Sequence, residues 1–270
     1  GVTLEQFRKW CKTVPSVVGT LSELLNPVDP RVATFPPALA YAQGTGTSLL
    51  QPEHAWLLAA SMKHSCRREW RELYNSRKHG KAWPSFAAKL AASPGPSLLL
   101  VRDSHGYLFG AYAPDAWEKQ NKFYGGEGYS SFVFRLEPKV SLHSPTGKNT
   151  NFQYFASGNT SGLNPNGCGM GGQLNAFALF VDASFEVGHS FAGPTYGNPV
   201  LGSGLRFQVD TIECWALNPS KEGVAPGGPR GSGVLTNSNF GAERAMMGFV
   251  GRENGERSRA FLEPSPDDGG

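Results

Sequence analysis

Apolar and polar positions change rhythm twice along the chain. Residues 3–12 place Leu4, Phe7, Trp10 and Cys11 at helical spacing. Pro15, tolerated in a first helical turn, opens a second helix through about Leu25. Pro27, Pro30, Pro36, Pro37, Gly44, Gly46 and Pro52 then punctuate residues 26–52, which read as a linker. From Glu53 to Lys78 the residues Leu57, Leu58, Met62, Trp70, Leu73 and Tyr74 form one stripe and predict a long helix. A shorter helix is predicted over about Ser85–Ala92, stopped by Pro94-Gly95-Pro96.

Beyond Pro96 the period shortens to that of strands. Leu98–Val101 and Tyr107–Tyr112 flank Asp103-Ser104-His105-Gly106, which reads as a hairpin turn. Ser131–Leu136 alternates Phe132, Phe134 and Leu136 on one face. Val140–His143, Phe152–Phe155, Ala176–Val181 and Phe207–Leu217 continue the series, separated by turns rich in Gly, Asn and Ser. This alternation predicts an α+β fold, an antiparallel β-sandwich with helices on its N-terminal side. Residues 218–240 read as a second linker. Ala242, Ala245, Met246, Phe249 and Val250 then share a stripe on a final helix over Ala242–Leu262. That stripe needs cover, either from the domain or from a partner.

Composition agrees with this division. Gly and Pro fill 54 of 270 positions (34 and 20), which suits short strands and many turns and excludes a coiled coil. Apolar residues are 39% and charged ones 17%, so the chain can bury a core. No apolar run approaches the roughly 18 residues of a membrane-spanning helix. The net charge of +3 is too small to imply nucleic acid. The basic excess sits in residues 1–95, mostly on the helix predicted from Glu53. It reads as a solvated face or as a docking surface for an acidic protein or membrane.

Chemistry is sparse. Cys11, Cys66, Cys168 and Cys214 form no Cys-x-x-Cys, which speaks against zinc or a disulfide framework and for a reducing compartment. Val2-Thr3-Leu4-Glu5-Gln6-Phe7 is similar to the end of an EF-hand loop and its exit helix. Gln6 stands where the bidentate Glu would be, so no calcium site is expected. Gly167-Cys168-Gly169-Met170-Gly171-Gly172 satisfies G-x-G-x-x-G, but a strand rather than a helix should follow it. The glycines are expected to form a tight connection, and no cofactor is expected. His54, His64, His79, His105, His143 and His189 form no metal-binding pair, and there is no G-x-S-x-G elbow. Glu213 shares a strand face with Trp215 and Leu217. It reads as a buried anchor, or as an acid whose pKa burial raises.

Ordered blocks along residues 53–217 resemble the TLDc domain family. The resemblance runs from Trp70-Arg71-Glu72-Leu73-Tyr74-Asn75-Ser76-Arg77-Lys78-His79-Gly80 and Phe86 to Gly106-Tyr107-Leu108-Phe109-Gly110-Ala111-Tyr112. It continues through Phe123-Tyr124-Gly125, Ser131-Phe132-Val133-Phe134, Gly169-Met170-Gly171-Gly172 and Phe177-Ala178-Leu179. It closes on Gly188-His189-Ser190, Thr195-Tyr196-Gly197-Asn198 and Glu213-Cys214-Trp215-Ala216. The flanks, with Phe7-Arg8-Lys9-Trp10-Cys11, Val14-Pro15-Ser16-Val17, Gly251-Arg252 and Glu256-Arg257-Ser258, are similar to the lysosomal, mTOR-associated branch. That branch has an EF-hand-like region before the domain and a C-terminal helix after it.

The resemblance implies a helical remnant over 1–25, a linker over 26–52, a two-sheet sandwich over 53–217, a linker over 218–240 and a helix over 241–263. It implies a non-catalytic regulatory module linked to oxidative-stress resistance and mTOR signalling. Such a module would act at the cytosolic face of lysosomal membranes. Its partner would be the peripheral sector of the vacuolar proton pump, the V-ATPase, with its catalytic head and stalk. The contacts expected are Gly188, His189, Ser190, Thr195, Tyr196 and Asn198 in one loop, with a second loop over Asn164–Gly172. Met246, Phe249, Val250 and Arg252 on the final helix would reach toward the pump's central rotor. Related domains often carry Cys or Ser near Gly193, which argues against a redox role for this loop. The competing expectation is an enzyme, a hydrolase or antioxidant activity, using Glu213 with a histidine.

Overall fold

A computed structural model describes residues 2–13, 16–18, 20–21, 37–43, 47–160 and 164–217. Four helices and twelve strands lie among them. The helices are α1 (Leu4–Thr13), α2 (Pro52–Ala59), α3 (Ser76–His79) and α4 (Trp83–Ala91). Residues 16–18 and 20–21 are also helical.

One sheet carries β1 (Ala38–Ala40), β2 (Glu69–Asn75), β3 (Ser97–Asp103), β4 (Leu108–Ala113), β6 (Phe132–Glu137) and β7 (Ser141–His143). The other carries β5 (Phe123–Tyr124), β8 (Gln153–Ala156), β9 (Gly167–Gln173), β10 (Ala176–Asp182) and β11 (Val187–His189). The longest strand, β12 (Arg206–Leu217), belongs to both. Its start pairs with β11, and its remainder lies between β2 and β3. All pairings are antiparallel except β1 with β2. The sandwich expected from the strand alternation is therefore present.

Between the sheets lies a core that includes Leu99, Val101, Phe109, Ile212 and Cys214 from one side and Cys168, Met170, Leu179 and Val181 from the other. Helix α4 closes one end of it through Phe86 and Leu90. A second core covers the outer face of the first sheet, where Ala55, Leu58 and Ala59 of α2 meet Trp70, Leu98, Leu100, Phe134 and Trp215. The first sheet is thus apolar on both faces, which explains the unbroken run Leu98–Val101.

The long helix expected over Glu53–Lys78 is not formed. It ends after Ala59, where the Arg67 guanidinium turns back onto the carbonyls of Ala60 (3.1 Å) and Met62 (2.6 Å). Residues 69–75 instead form β2. Trp70 and Glu72 point to the outer core, and a register shift opposite Cys214/Trp215 turns Tyr74 toward the inner one. The basic residues assigned to that helix are therefore spread over the connecting segment 60–68, β2 and α3, and share no single helical face. Part of the segment read as a linker, 26–52, is built into the sheet as β1. The glycine run 167–172 is a buried strand rather than a connection, although its backbone does approach its neighbours closely. A Cβ on Gly169 would come 2.8 Å from the Phe177 ring. The final helix, with Met246, Phe249, Val250 and Arg252, lies outside the described residues, as does the 218–240 linker.

Candidate functional site

Glu213 sits mid-way along β12, opposite Asn75 of β2 and Leu100 of β3, and is wholly buried. Its Oε1 accepts from the Ser48 hydroxyl (2.5 Å) and from Asn75 Nδ2 (3.3 Å). Its Oε2 accepts from the amides of Leu49 (2.7 Å) and Leu50 (3.2 Å). Burial, and then the charge of Glu72, push its pKa up to about 7, while the Ser48 and Leu49 donors pull the other way. No histidine is among these partners. Neither of the two surface grooves described below is lined by Glu213.

Glu72, also buried, lies on the same face. Its Oε2 accepts from Lys78 Nζ (2.7 Å) and from the Ala42 amide (2.8 Å). The Lys78–Glu72 pair is enclosed, with side-chain exposures of 4% and 0%. Tyr41 covers the cluster, its ring edge-on to Trp215 at 5.3 Å. The two acids therefore anchor residues 41–43 and 47–50 onto the sheet.

The loop expected to meet a partner is framed by its own candidate residues. Ser190 donates to the Ala178 carbonyl (2.7 Å) and accepts from the Leu201 amide (2.9 Å). Thr195 accepts from the Gly172 amide and donates to Asn149 Oδ1, both at 2.8 Å. The Tyr196 hydroxyl meets that of Ser131 at 2.8 Å. Asn198 Nδ2 holds the carbonyls of Phe191 (3.0 Å) and Pro199 (2.9 Å). Gly188, Ser190, Thr195, Tyr196 and Asn198 are buried, and His189 is half-buried. The exposed positions are Ala192, Pro194 and Gly197 within the loop and Pro199 just beyond it, none of them among the contact residues expected from the sequence. At the start of the second loop, the Asn166 side chain accepts from the Asn159 amide (2.9 Å) and donates to the Asn159 carbonyl (3.0 Å).

His189 stacks on Phe180 (5.0 Å between centroids), and its Nε2 accepts from the Phe177 amide at 3.4 Å. Burial first, and then the Arg206 charge across the strand pair, press its pKa down to about 4, so the ring is neutral near pH 7. It lines a groove of about 610 Å³ with His105, Phe180, Asp182, Val187 and Arg206. An adjoining groove of about 560 Å³ presents Lys81, Arg102, Glu186 and Asp210. Cys168 and Cys214 are fully buried, and burial raises both thiols, Cys214 to about 12, which keeps them protonated and unreactive. Among the described residues, no three His, Cys, Asp or Glu side chains gather as a metal site. No helix there is long and apolar enough to cross a membrane.

These features define a β-sandwich domain with inward-turned polar anchors and a loop-framed surface. Residues 44–218, more than half of the chain, match the TLDc domain, and the chain belongs to that family. It is similar to the mouse protein named MTOR-associated protein MEAK7, with 36% identity over 185 residues (67% of this chain and 40% of that protein). The human protein of that name is 33% identical over 201 residues (73% and 43%). Human nuclear receptor coactivator 7 is 28% identical over 179 residues (63% and 18%). The chain spans less than half the length of each of these relatives.

Proposed function

We propose that this chain is a non-catalytic binding and regulatory module linked to mTOR signalling. The observation that carries this is the similarity, at about a third identity, to proteins named for association with mTOR. The finer reading places it on the V-ATPase peripheral sector, at the cytosolic face of lysosomal membranes, with a link to oxidative-stress resistance. That reading rests on the TLDc resemblance. The enclosed Glu213, saturated by hydroxyl, amide and backbone donors, supports an anchoring role over a catalytic one.

In this reading the Gly188–Asn198 loop, with Pro199 just beyond it, offers its exposed rim to the pump. The segment 241–263 adds a second contact near the central rotor through Met246, Phe249, Val250 and Arg252. Two tethered contacts raise avidity through effective concentration. A pull-down of intact and dissociated pump, with the whole chain and with a chain ending at residue 240, tests both parts. The whole chain should capture the pump, and the shortened one should capture less. Equal capture by both removes the tail from the mechanism, and no capture by either overturns the pump reading.

The competing reading, a hydrolase or antioxidant enzyme using Glu213 with a histidine, is favoured by one observation, the raised proton affinity of Glu213. A histidine within reach of that carboxyl is what it lacks among the bonds described.

A further inference from the structure

The groove of about 610 Å³ beside His189 has the volume of a small-molecule site. Strand pairing sets its floor. Phe180 of β10, His189 of β11 and Arg206 of β12 stand directly opposite one another, one per strand. One wall is the β3–β4 turn. Buried Asp103 holds that turn by accepting from the amides of His105 (3.0 Å), Tyr107 (3.0 Å) and Ser203 (2.9 Å). The Ser104 amide also donates to the Gln208 carbonyl (3.0 Å). The groove is thus formed before any ligand arrives.

Its polar groups at one end are donors. The Arg206 guanidinium has no ion-pair or hydrogen-bond partner among the described residues. His189 uses Nε2 to accept from the Phe177 amide, so the proton of the neutral ring sits on Nδ1, and no described residue supplies an acceptor for it. The two are cross-strand neighbours, about 5 Å apart at Cβ by ordinary sheet geometry. Phe180, Phe207 and Val187 add apolar surface alongside. The remaining titratable groups of the groove are His105 and Asp182. His105 Nδ1 meets the Ser104 and Ser203 hydroxyls (both 3.3 Å), and Asp182 Oδ1 accepts from the Ser184 amide (2.7 Å). Asp182 lies two strands and two residues from Arg206, roughly 12 Å by ordinary strand spacings.

We propose that this groove binds a small apolar monocarboxylate, its carboxylate held by the Arg206 guanidinium and the His189 Nδ1–H and its hydrocarbon body laid on Phe180 and Val187. A planar guanidinium donates two parallel bonds to a carboxylate, and the neighbouring imidazole adds a third. One unpaired cation matches one negative charge. Asp182 at the far end repels a second, so a dicarboxylate or a phosphate dianion is disfavoured. The site uses His189 of the candidate loop but none of its exposed rim positions, and it does not depend on the pump reading.

Titrating the whole chain with phenylacetate and with hexanoate, followed by amide NMR shifts, tests the site. The shifts should saturate and centre on His189, Arg206 and Gln208. Phenylacetamide, which lacks the charge, should bind about tenfold more weakly than phenylacetate or worse. Adipate, with a second carboxylate, should bind more weakly than hexanoate. Arg206→Gln should weaken phenylacetate by about tenfold or more and leave the unfolding midpoint nearly unchanged, since Arg206 is exposed. The proposal is overturned if neither acid gives saturable shifts at the groove, or if phenylacetamide matches phenylacetate. It is equally overturned if adipate matches hexanoate, or if Arg206→Gln binds phenylacetate as well as wild type does. The amide comparison needs only the wild-type chain and decides the matter should the variant fail to fold.

Discussion

The ring of Tyr196 fills the space that any side chain at Gly171 would need. A Cβ on Gly171 would lie 2.5 Å from Tyr196 Cε2, and Gly171 has φ +65°. The glycine of a strand and the tyrosine of a loop are thus fitted to each other, and the Tyr196–Ser131 bond locks the fit.

Gly171→Ala should therefore destabilise the domain through both the left-handed backbone and the clash. About 2–4 kcal/mol is expected. Urea unfolding monitored by tryptophan fluorescence should show the lower midpoint. A midpoint within error of wild type would mean the ring moves aside without cost.

Lys78→Met should cost about 3–5 kcal/mol, because it strips the enclosed Glu72 carboxylate of its cation. Arg77→Ala breaks the neighbouring ion pair with Asp210, whose side chains are 43% and 41% exposed, and should cost less than about 1 kcal/mol. Comparing the two denaturation curves separates buried from solvated charge within two adjacent residues.

The imidazole of His189 makes the domain less stable in acid. Its folded pKa is about 4, below the ordinary 6.5, so its contribution is present above 6.5 and is lost as pH falls toward 4. His189→Gln should flatten that acid limb of the stability profile. In Arg206→Gln, an NMR titration should place His189 higher than in wild type but still below 6.5, because burial outweighs the Arg206 charge.

For the partner loop, rim and frame should separate experimentally. Ala192→Arg or Pro199→Arg should weaken pump capture while leaving the unfolding midpoint in place. Thr195→Ala removes a buried hydroxyl that serves both Gly172 and Asn149, and should cost about 1–3 kcal/mol. Loss of capture on the frame substitution alone, with the rim variants binding normally, would move the interface elsewhere.

The sequence carried the β4 hairpin, β6, β7, β8, β10, β12 and α4 within a few residues, because their alternation or helical spacing is undisguised. It concealed β2, since alternation there appears only if the charged Glu72 is counted as an inward residue. It concealed β9 because glycines imply turns, whereas here the missing side chains admit the rings of Phe177 and Tyr196. Glu213 was visible as a buried acid on the face of Trp215. Its partners were not, since Ser48, Leu49 and Leu50 come from a stretch whose prolines and glycines suggested a linker. The loop residues were legible as a block but not by orientation, because hydroxyl and amide side chains at a turn point inward or outward with equal ease.

That β12 joins the two sheets has a further consequence during synthesis. Strand β2 is made before β3–β11, yet among the described residues its partners are the three-residue β1 and β12. Strand β3 likewise keeps one side open until residues 209–216 appear. From the synthesis of β3 to that of β12 the nascent chain must therefore carry two unfinished strand edges. Closure of both edges waits for residues 209–217, and any stall before that point leaves both exposed to aggregation or to chaperones.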